Sequence, residues 1–208
     1  SYTIGVEEEL MIVDAETLDL SNSIEALLKR IPQDLVGEVK PELLESVCEI
    51  ATTPCKNTKE IGEQLRQLRR TTQETAAREG LAIGSAGTHP FAMWEDARVV
   101  ARPRYRELIA GLQFIARQEL IFGVHVHVAV DDPDKAIHVT NGLRVHLPLL
   151  LALSANSPFW RADATGLLST RTPIFRAFPR VGIPPRYHNW ADYEKRIEFM
   201  KTAKTIQD

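Results

Sequence analysis

The run Gly123-Val124-His125-Val126-His127-Val128-Ala129-Val130 alternates without a fault, with valines on one parity and His125, His127 and Ala129 on the other. Period-two patterning of β-branched residues marks a strand, because successive side chains of an extended backbone point to opposite faces. A second stretch, Thr3 to Asp14, repeats the device. Ile4, Val6, Leu10 and Ile12 fall on one face, and Gly5, Glu7, Glu9 and Met11 on the other. Strands of a doubly wound parallel sheet are buried on both faces and read apolar at both parities. Two strands with ionisable residues at every second position therefore predict an α+β fold: an antiparallel sheet with one face open and helices packed on the other. The valine parity of 124–130 is expected to be the packed one.

The remaining elements follow from spacing and punctuation. Ile24, Leu27, Leu28 and Ile31 carry helical spacing behind the candidate caps Ser21 and Ser23, and Pro32 ends that helix. Residues 35–39 and 44–52 look extended, although Glu45 to Glu49 fits a helical turn as well. Asn57 with Glu60 three residues later resembles a capping box, the apolar stripe Ile61, Leu65 and Leu68 follows, and Gly80 is a natural stop. Residues 81–85 form a predicted strand and 86–103 a loop. Helices are predicted over 103–120, from Asp132 to about Ser154 with a kink at Pro148, and from Trp190 to about Lys204 behind the cap Asn189. The Pro- and Arg-rich stretch between them, 157–189, is a loop too long for a mere connector.

With 208 residues, 44% hydrophobic and 25% charged, the chain has the composition of a globular protein and is treated as a single catalytic domain over 1–208. Lys plus Arg number 25 and Asp plus Glu 28, a net charge of −3, so there is no field to hold nucleic acid or an anionic membrane. Cys48 and Cys55 stand outside any CxxC arrangement, and a reducing cytoplasm is the expected location. The longest apolar stretch, Leu147 to Ala155, is interrupted by Pro148 and Ser154 and falls well short of the ~20 residues that span a bilayer, so no membrane anchor is expected. Ser1 in place of Met leaves the true start of the polypeptide open.

Chemistry concentrates in three places. Glu7 and Glu9 share a strand face about 7 Å apart, where two carboxylates disfavour joint ionisation unless a cation lies between them. Glu45 and Glu49, four apart, share a side whether the segment is strand or helix, and Glu42 adds a third acid; all three lie beside Leu43, Leu44, Val47 and Ile50. His125 and His127 are cofacial on the alternating strand. The competing reading of each acid cluster is a solvated surface, and of each histidine a satisfied surface or core group. Taken together, oxygen donors in excess over imidazole point to Mg²⁺ or Mn²⁺ serving a phosphate; a Zn²⁺-dependent hydrolase built on His125, His127 and a glutamate is the competitor. Arg161, Arg171, Arg176, Arg180 and Arg186 lie in the long loop and carry guanidinium forks suited to carboxylate or phosphate, the competing reading for most of the five being a solvated loop. Neither GxxxxGK[ST] nor GxGxxG occurs, so a nucleotide would be bound by another design.

Several motifs, in order, resemble the YbdK-type carboxylate–amine ligases, the type 2 glutamate–cysteine ligase family. They are Gly5-Val6-Glu7-Glu8-Glu9-Leu10, Glu45-Ser46-Val47-Cys48-Glu49, Gly87-Thr88-His89-Pro90, Tyr105-Arg106, Phe122 to Val128, Ala152 to Pro158, Ser169-Thr170-Arg171 and Phe175 to Pro179. The resemblance implies a glutamine synthetase-like sheet curved around an ATP and metal site. It implies ATP-dependent joining of the γ-carboxyl of L-glutamate to the amine of L-cysteine through a γ-glutamyl phosphate, the first step toward glutathione. Glu7, Glu9, Glu49 and His125 match the family's Mg²⁺ or Mg–ATP ligands, and Glu42 and Glu45 match further acids less closely. Arg171 matches the Ser-x-Arg position that holds a substrate carboxylate or the acyl phosphate, and His127 is placed to assist at the nucleotide. Glu7, Glu9, Glu49 and Arg171 are the catalytic set.

The family continues into a strand bearing Gly-Thr-[Val/Leu]-Glu-[Val/Ile]-Arg, which does not occur before Asp208. The expectation is that this chain holds the larger, N-terminal part of the catalytic domain, with a site short of one carboxylate and one arginine. The amine acceptor is not legible in the sequence, assembly into a homo-oligomer is compatible with it, and a non-catalytic binding module on the same fold is the alternative outside enzymology.

Overall fold

Strand β1 (Ile4–Asp14) is the longest strand, and the rest of the main sheet is built on it; the computed structural model describes residues 2–206. In chain order there follow α1 (Ile24–Leu28), β2 (Glu38–Pro41), β3 (Val47–Ala51), α2 (Thr58–Ala77), β4 (Leu81–Gly84), α3 (Pro103–Leu112), α4 (Phe114–Arg117) and β5 (Val124–Val128). Then come α5 (Pro133–Leu143), α6 (Leu147–Ser154), the short pair β6 (Phe159–Trp160) and β7 (Asp163–Ala164), α7 (Arg171–Phe175) and α8 (Trp190–Thr202), with 3₁₀ turns at Trp94–Asp96 and Arg144–His146.

Every pairing in the five-stranded sheet is antiparallel, as the alternation predicts. Strand β3 pairs with residues 7–11 of β1 and carries β2 outside it. Two further strands divide β1 between them, β5 pairing with residues 4–8 and β4 with residues 11–14. Helix α2 packs against β1, β3 and β4. Its stripe Ile61, Leu68, Thr72 and Ala76 is buried, and Leu68 joins Leu10, Ile12, Leu27 and Ile50 in a core where each side chain is at most 2% exposed. Burial on that scale stabilises by roughly 1.5–3 kcal/mol per large aliphatic side chain.

The capping box at the start of α2 is formed. Asn57 Oδ1 accepts the Glu60 N–H at 3.0 Å, and Glu60 reaches back to accept the Lys56 N–H at 2.8 Å. Gly80 follows the helix at φ +69°, a left-handed conformation open to glycine at little cost.

Other segments depart from the expected pattern. The predicted helix 103–120 is broken at Gln113, whose φ of +48° closes α3 and sends the chain off on a new axis. Glu45 lies in a turn before β3, its N–H bonded to the Arg98 carbonyl and its carbonyl to the Ile24 N–H. The four-residue spacing to Glu49 therefore spans a turn rather than one regular element. The valines of β5 are not packed: Val124, Val126 and Val128 are 60%, 64% and 54% exposed. Among the described strands β5 pairs with β1 alone, and α2 lies over β1, β3 and β4 instead. The loop 157–189 contains β6, β7 and α7.

The chain divides into two compact units. One comprises 3–128 with 155–181 and holds the sheet, α2 and α7; the other takes Tyr2, 129–154 and the residues from 182 on. The second unit is helical. Asn141 bonds both backbone groups of Tyr187, at 2.7 and 3.1 Å, and Asp134 accepts the Trp190 N–H at 2.7 Å. The helical run 133–154 has a mean hydropathy of 1.2 and is by length and composition alone apolar enough to cross a membrane, but a 3₁₀ turn with Arg144 and His146 interrupts it ahead of Pro148.

Candidate active site

Residues directly opposite one another in an antiparallel pair share a face. Glu9 lies opposite Glu49, Glu7 opposite His125, Gly5 opposite His127, and Glu49 in turn opposite Lys40. The register thus puts Glu7, Glu9, Glu49, His125, His127 and Lys40 on one face, the face of the sheet away from α2. Glu8, the middle acid of three, has the opposite parity. It is 2% exposed, and Arg69 of α2 donates to it through Nε and Nη2, both at 2.6 Å.

The open face is crowded with charge. Lys40 Nζ donates to Glu7 Oε1 at 3.3 Å and lies 2.8 Å from Glu49 Oε1. The second approach falls outside hydrogen-bonding geometry, so Glu49 Oε1 is buried with an ion-pair partner and no hydrogen bond. His127 Nε2 is 3.1 Å from Glu7 Oε2 and His125 Nδ1 is 3.5 Å from the same oxygen. The His127 hydrogen bond holds the Glu7 carboxyl below its usual range. Burial raises Glu9, and burial and then the neighbouring Glu49 raise Glu42. Glu119 is pushed up to about 7, by burial first and the nearby Glu9 second.

Arg171 enters from the first turn of α7. Its Nε donates to the Phe122 carbonyl at 2.8 Å, its guanidinium carbon lies 5.3 Å from the Phe175 ring centre, and its backbone N–H is held by Ser157 Oγ at 3.2 Å. Those contacts leave the Nη groups without a hydrogen-bond partner among the described residues. Gly123 is the point of closest approach. Its N–H donates to Glu9 Oε2 at 2.6 Å and its carbonyl accepts the Glu9 N–H at 2.9 Å. A Cβ at this position would stand 2.9 Å from Arg171 Nη2 and 3.3 Å from Glu9 Oε2. A cavity of about 150 Å³ opens here, bounded by Glu9, Glu42, Glu119, His125 and Arg171 and walled by apolar side chains that include Leu108, Ile121 and Phe175.

Of the residues singled out by sequence, the structure brings together Glu7, Glu9, Glu42, Glu49, His125, His127 and Arg171. It does not bring in Glu45, which stays in its turn and does not line the cavity. Sequence reasoning passed over Lys40, Glu119 and Gly123. Lys40, Glu119 and Gly123 gain meaning only through partners on other segments of the chain.

The family resemblance implies a divalent cation, and the donors present fit one chemically. Five carboxylates face Lys40 and Arg171, a surplus of negative charge in a partly desolvated place, and Glu49 Oε1 lacks a hydrogen bond. Among the described residues no three His, Cys, Asp or Glu side chains converge as a ready-made metal cage. Zn²⁺ sites draw three or four ligands from protein, whereas Mg²⁺ is commonly held by one or two carboxylates together with substrate phosphates, so this donor set suits Mg²⁺.

The sequence matches glutamate–cysteine ligase family 2 over residues 3–208. A protein of Rubrobacter xylanophilus that carries the provisional name glutamate–cysteine ligase 2-1 is 45% identical over 207 residues, covering 100% of this chain and 55% of its own length. A relative in Solibacter usitatus, with the provisional name glutamate–cysteine ligase 2, is 42% identical over 209 residues and is covered to 54%. The chain therefore spans about half the length of the curated relatives it matches. Among solved structures, the bifunctional glutathione synthetase of Pasteurella multocida superposes with a TM-score of 0.70 at 15% identity, over 98% of this chain and 30% of that one. The glutamate–cysteine ligase of Francisella tularensis, solved in complex with AMP, gives 0.58 at 20% identity over 76% and 35%. At those identities the likeness is one of fold, and it extends the α+β, antiparallel-sheet reading to ligases of this kind. By its sequence over nearly every residue, the chain belongs to glutamate–cysteine ligase family 2.

Proposed function

We propose that the protein is an ATP-dependent carboxylate–amine ligase that joins the γ-carboxyl of L-glutamate to the amine of L-cysteine, and that the open face of the sheet is its active site. The observation that carries this reading is the convergence of Glu9, Glu49, His125 and Arg171, from four separate segments, around one cavity and its rim. Acyl-phosphate chemistry requires no protein nucleophile. A carboxylate oxygen of glutamate attacks the γ-phosphorus of ATP and ADP leaves; the amine nitrogen then attacks the acyl carbon, phosphate departs with the C–O bonding pair, and the nitrogen loses a proton. What the protein supplies is positioning and charge. Glu9 and Glu49, with Glu42, Glu7 and His125 around them, would hold Mg²⁺, which when bound neutralises the transferring phosphates. Arg171, fixed by Phe122 and stacked on Phe175, turns its free Nη groups toward the anionic acyl phosphate or substrate carboxylate. Lys40 pairs with both Glu7 and Glu49 and, after the His127 hydrogen bond, helps to hold the Glu7 carboxyl ionised. His127 orients Glu7 and would assist at the nucleotide. A reaction that consumes ATP and yields γ-glutamylcysteine belongs in the cytoplasm.

The test is coupled ADP release by the natural full-length polypeptide with L-glutamate, MgATP and a panel of amines. Formation of ADP that requires both glutamate and an amine, with L-cysteine the best acceptor, supports the proposal. Absence of glutamate- or amine-dependent ADP sinks it, and stoichiometric zinc with ATP-independent hydrolysis redirects it to the hydrolase reading.

A further inference from the structure

Glu119 stands apart from the other acids of the cavity. It sits on the connection between α4 and β5, two residues before Ile121, which is bridged to Thr88. Glu9 is committed to the Gly123 N–H at 2.6 Å, and Tyr105 lies 3.5 Å from Glu42. The Glu119 carboxylate has no hydrogen-bond or ion-pair partner among the described residues, although it faces the same cavity as the unfilled Nη groups of Arg171. A partly buried carboxylate with no direct partner, and with the Arg171 guanidinium beyond ion-pair distance as its favourable charge, is costly, and the cost is recovered when a cation meets it. One cavity therefore presents a carboxylate and a guanidinium, both unfilled, with Leu108, Ile121 and Phe175 as apolar wall. That is the complement of a zwitterion. A cavity of about 150 Å³ is of the size that takes a benzene-sized ligand, which admits a small amino acid.

We propose that Glu119 binds the α-ammonium group of the amino-acid substrate and so restricts the carboxylate donor to an α-amino acid. The inference rests on the ligase reading and adds to it the residue that separates L-glutamate from a plain dicarboxylic acid. The two can fail separately. On the natural full-length polypeptide, ADP release is measured with L-glutamate and with glutarate, which has both carboxylates and no amino group, for the unaltered protein and for Glu119→Gln. The unaltered protein should prefer L-glutamate by about 10- to 100-fold in kcat/KM, the range of one charged hydrogen bond. Glu119→Gln should abolish the preference by raising KM for L-glutamate, with KM for ATP holding, and Glu119→Asp should restore part of it. A merely structural role would depress both substrates together and preserve the ratio, which overturns the proposal. So would an unchanged KM for L-glutamate accompanied by a raised Mg²⁺ requirement, which assigns Glu119 to the metal. Should no carboxylate support ADP release, the ligase reading fails, and calorimetric titration of L-glutamate against glutarate still decides Glu119: the same loss of discrimination in Glu119→Gln supports it, and equal discrimination overturns it.

Discussion

Glu7, Glu8 and Glu9 are consecutive and chemically identical, yet the two faces of β1 give them opposite work. On the side beneath α2, Glu8 is buried among Val6, Leu10 and Ile12, and the Arg69 fork satisfies both its oxygens. On the other side Glu7 and Glu9 look onto solvent and cavity, and are opposed by a histidine and by a further glutamate. The buried acid is complete; on the open face Glu7 meets Lys40 and two histidines, whereas Glu9 has a backbone N–H and no ion-pair partner among the described residues. A motif of three acids therefore says little until each residue is assigned a parity, because a one-residue shift exchanges a structural ion pair for a reactive group. The contrast also separates two kinds of damage. Substitution on the open face should cost rate, and substitution on the covered face should cost stability.

The largest effect is expected on the open face. Glu9→Gln should lower kcat of the full-length enzyme on the order of 10³-fold with its melting temperature nearly unchanged, by analogy with loss of a preorganised electrostatic group. A loss of rate that merely tracks unfolding would break the contrast. Next comes the covered face. Arg69→Met strands the Glu8 carboxylate in the core and should destabilise by about 3 kcal/mol, at the low end for a buried pair because Arg69 itself is half exposed. Denaturant titration measures this, and the double variant Glu8→Leu/Arg69→Met should recover most of the loss. A smaller effect tests the seam between Glu9 and Arg171. The methyl of Gly123→Ala meets Arg171 Nη2 at 2.9 Å, the far end of a side chain that can swing away, so activity should fall about 10-fold with little change in stability.

The smallest effect is one of pH. Glu119 in the folded, unliganded protein titrates near 7, against 4.5 for an ordinary glutamate. Between those values the native state holds a proton that the unfolded state has lost, so stability falls as pH rises from about 4.5 to 7. Glu9 and Glu42, also raised, act in the same direction, whereas the lowered Glu7 contributes stability that is lost as pH falls below about 4.5. Glu119→Gln should flatten the decline and stabilise the protein at pH 8 by on the order of 1 kcal/mol, after allowance for solvent screening. Denaturation midpoints for the two proteins at pH 5 and pH 8 decide this.

Much of the sheet was legible because parity is a local property. The alternation at 4–12 and 124–130 placed Glu7 with Glu9 and His125 with His127 before any pairing was known, and Asn57 with Glu60 marked the start of α2. What escaped was non-local. The partner of Glu8 lies 61 positions on, and the hydrogen bond that positions Glu9 comes from a residue 114 positions on. Glu45 was misjudged because spacing of four presumes one regular element, and the chain turns between it and Glu49. The exposed valines of β5 share that lesson: alternation identifies a strand and its two faces, but not whether a neighbour covers either of them. Glu119 gave no local signal, since its chain direction depends on the left-handed break at Gln113.

The position of β1 has a consequence for how the protein comes into being. Its two halves are claimed by β4 and β5, and its other edge by β3, so the cluster around Glu9 is assembled from residues near positions 9, 42, 49, 119, 125 and 171. Apart from Lys40 and Glu49 on the neighbouring strands β2 and β3, the facing strands of the site come from well-separated stretches of chain. Closing such distant contacts is entropically slow, and they form cooperatively rather than one by one. A nascent or partly collapsed chain thus exposes acids without a pocket, and the cavity comes into being only with the completed sheet.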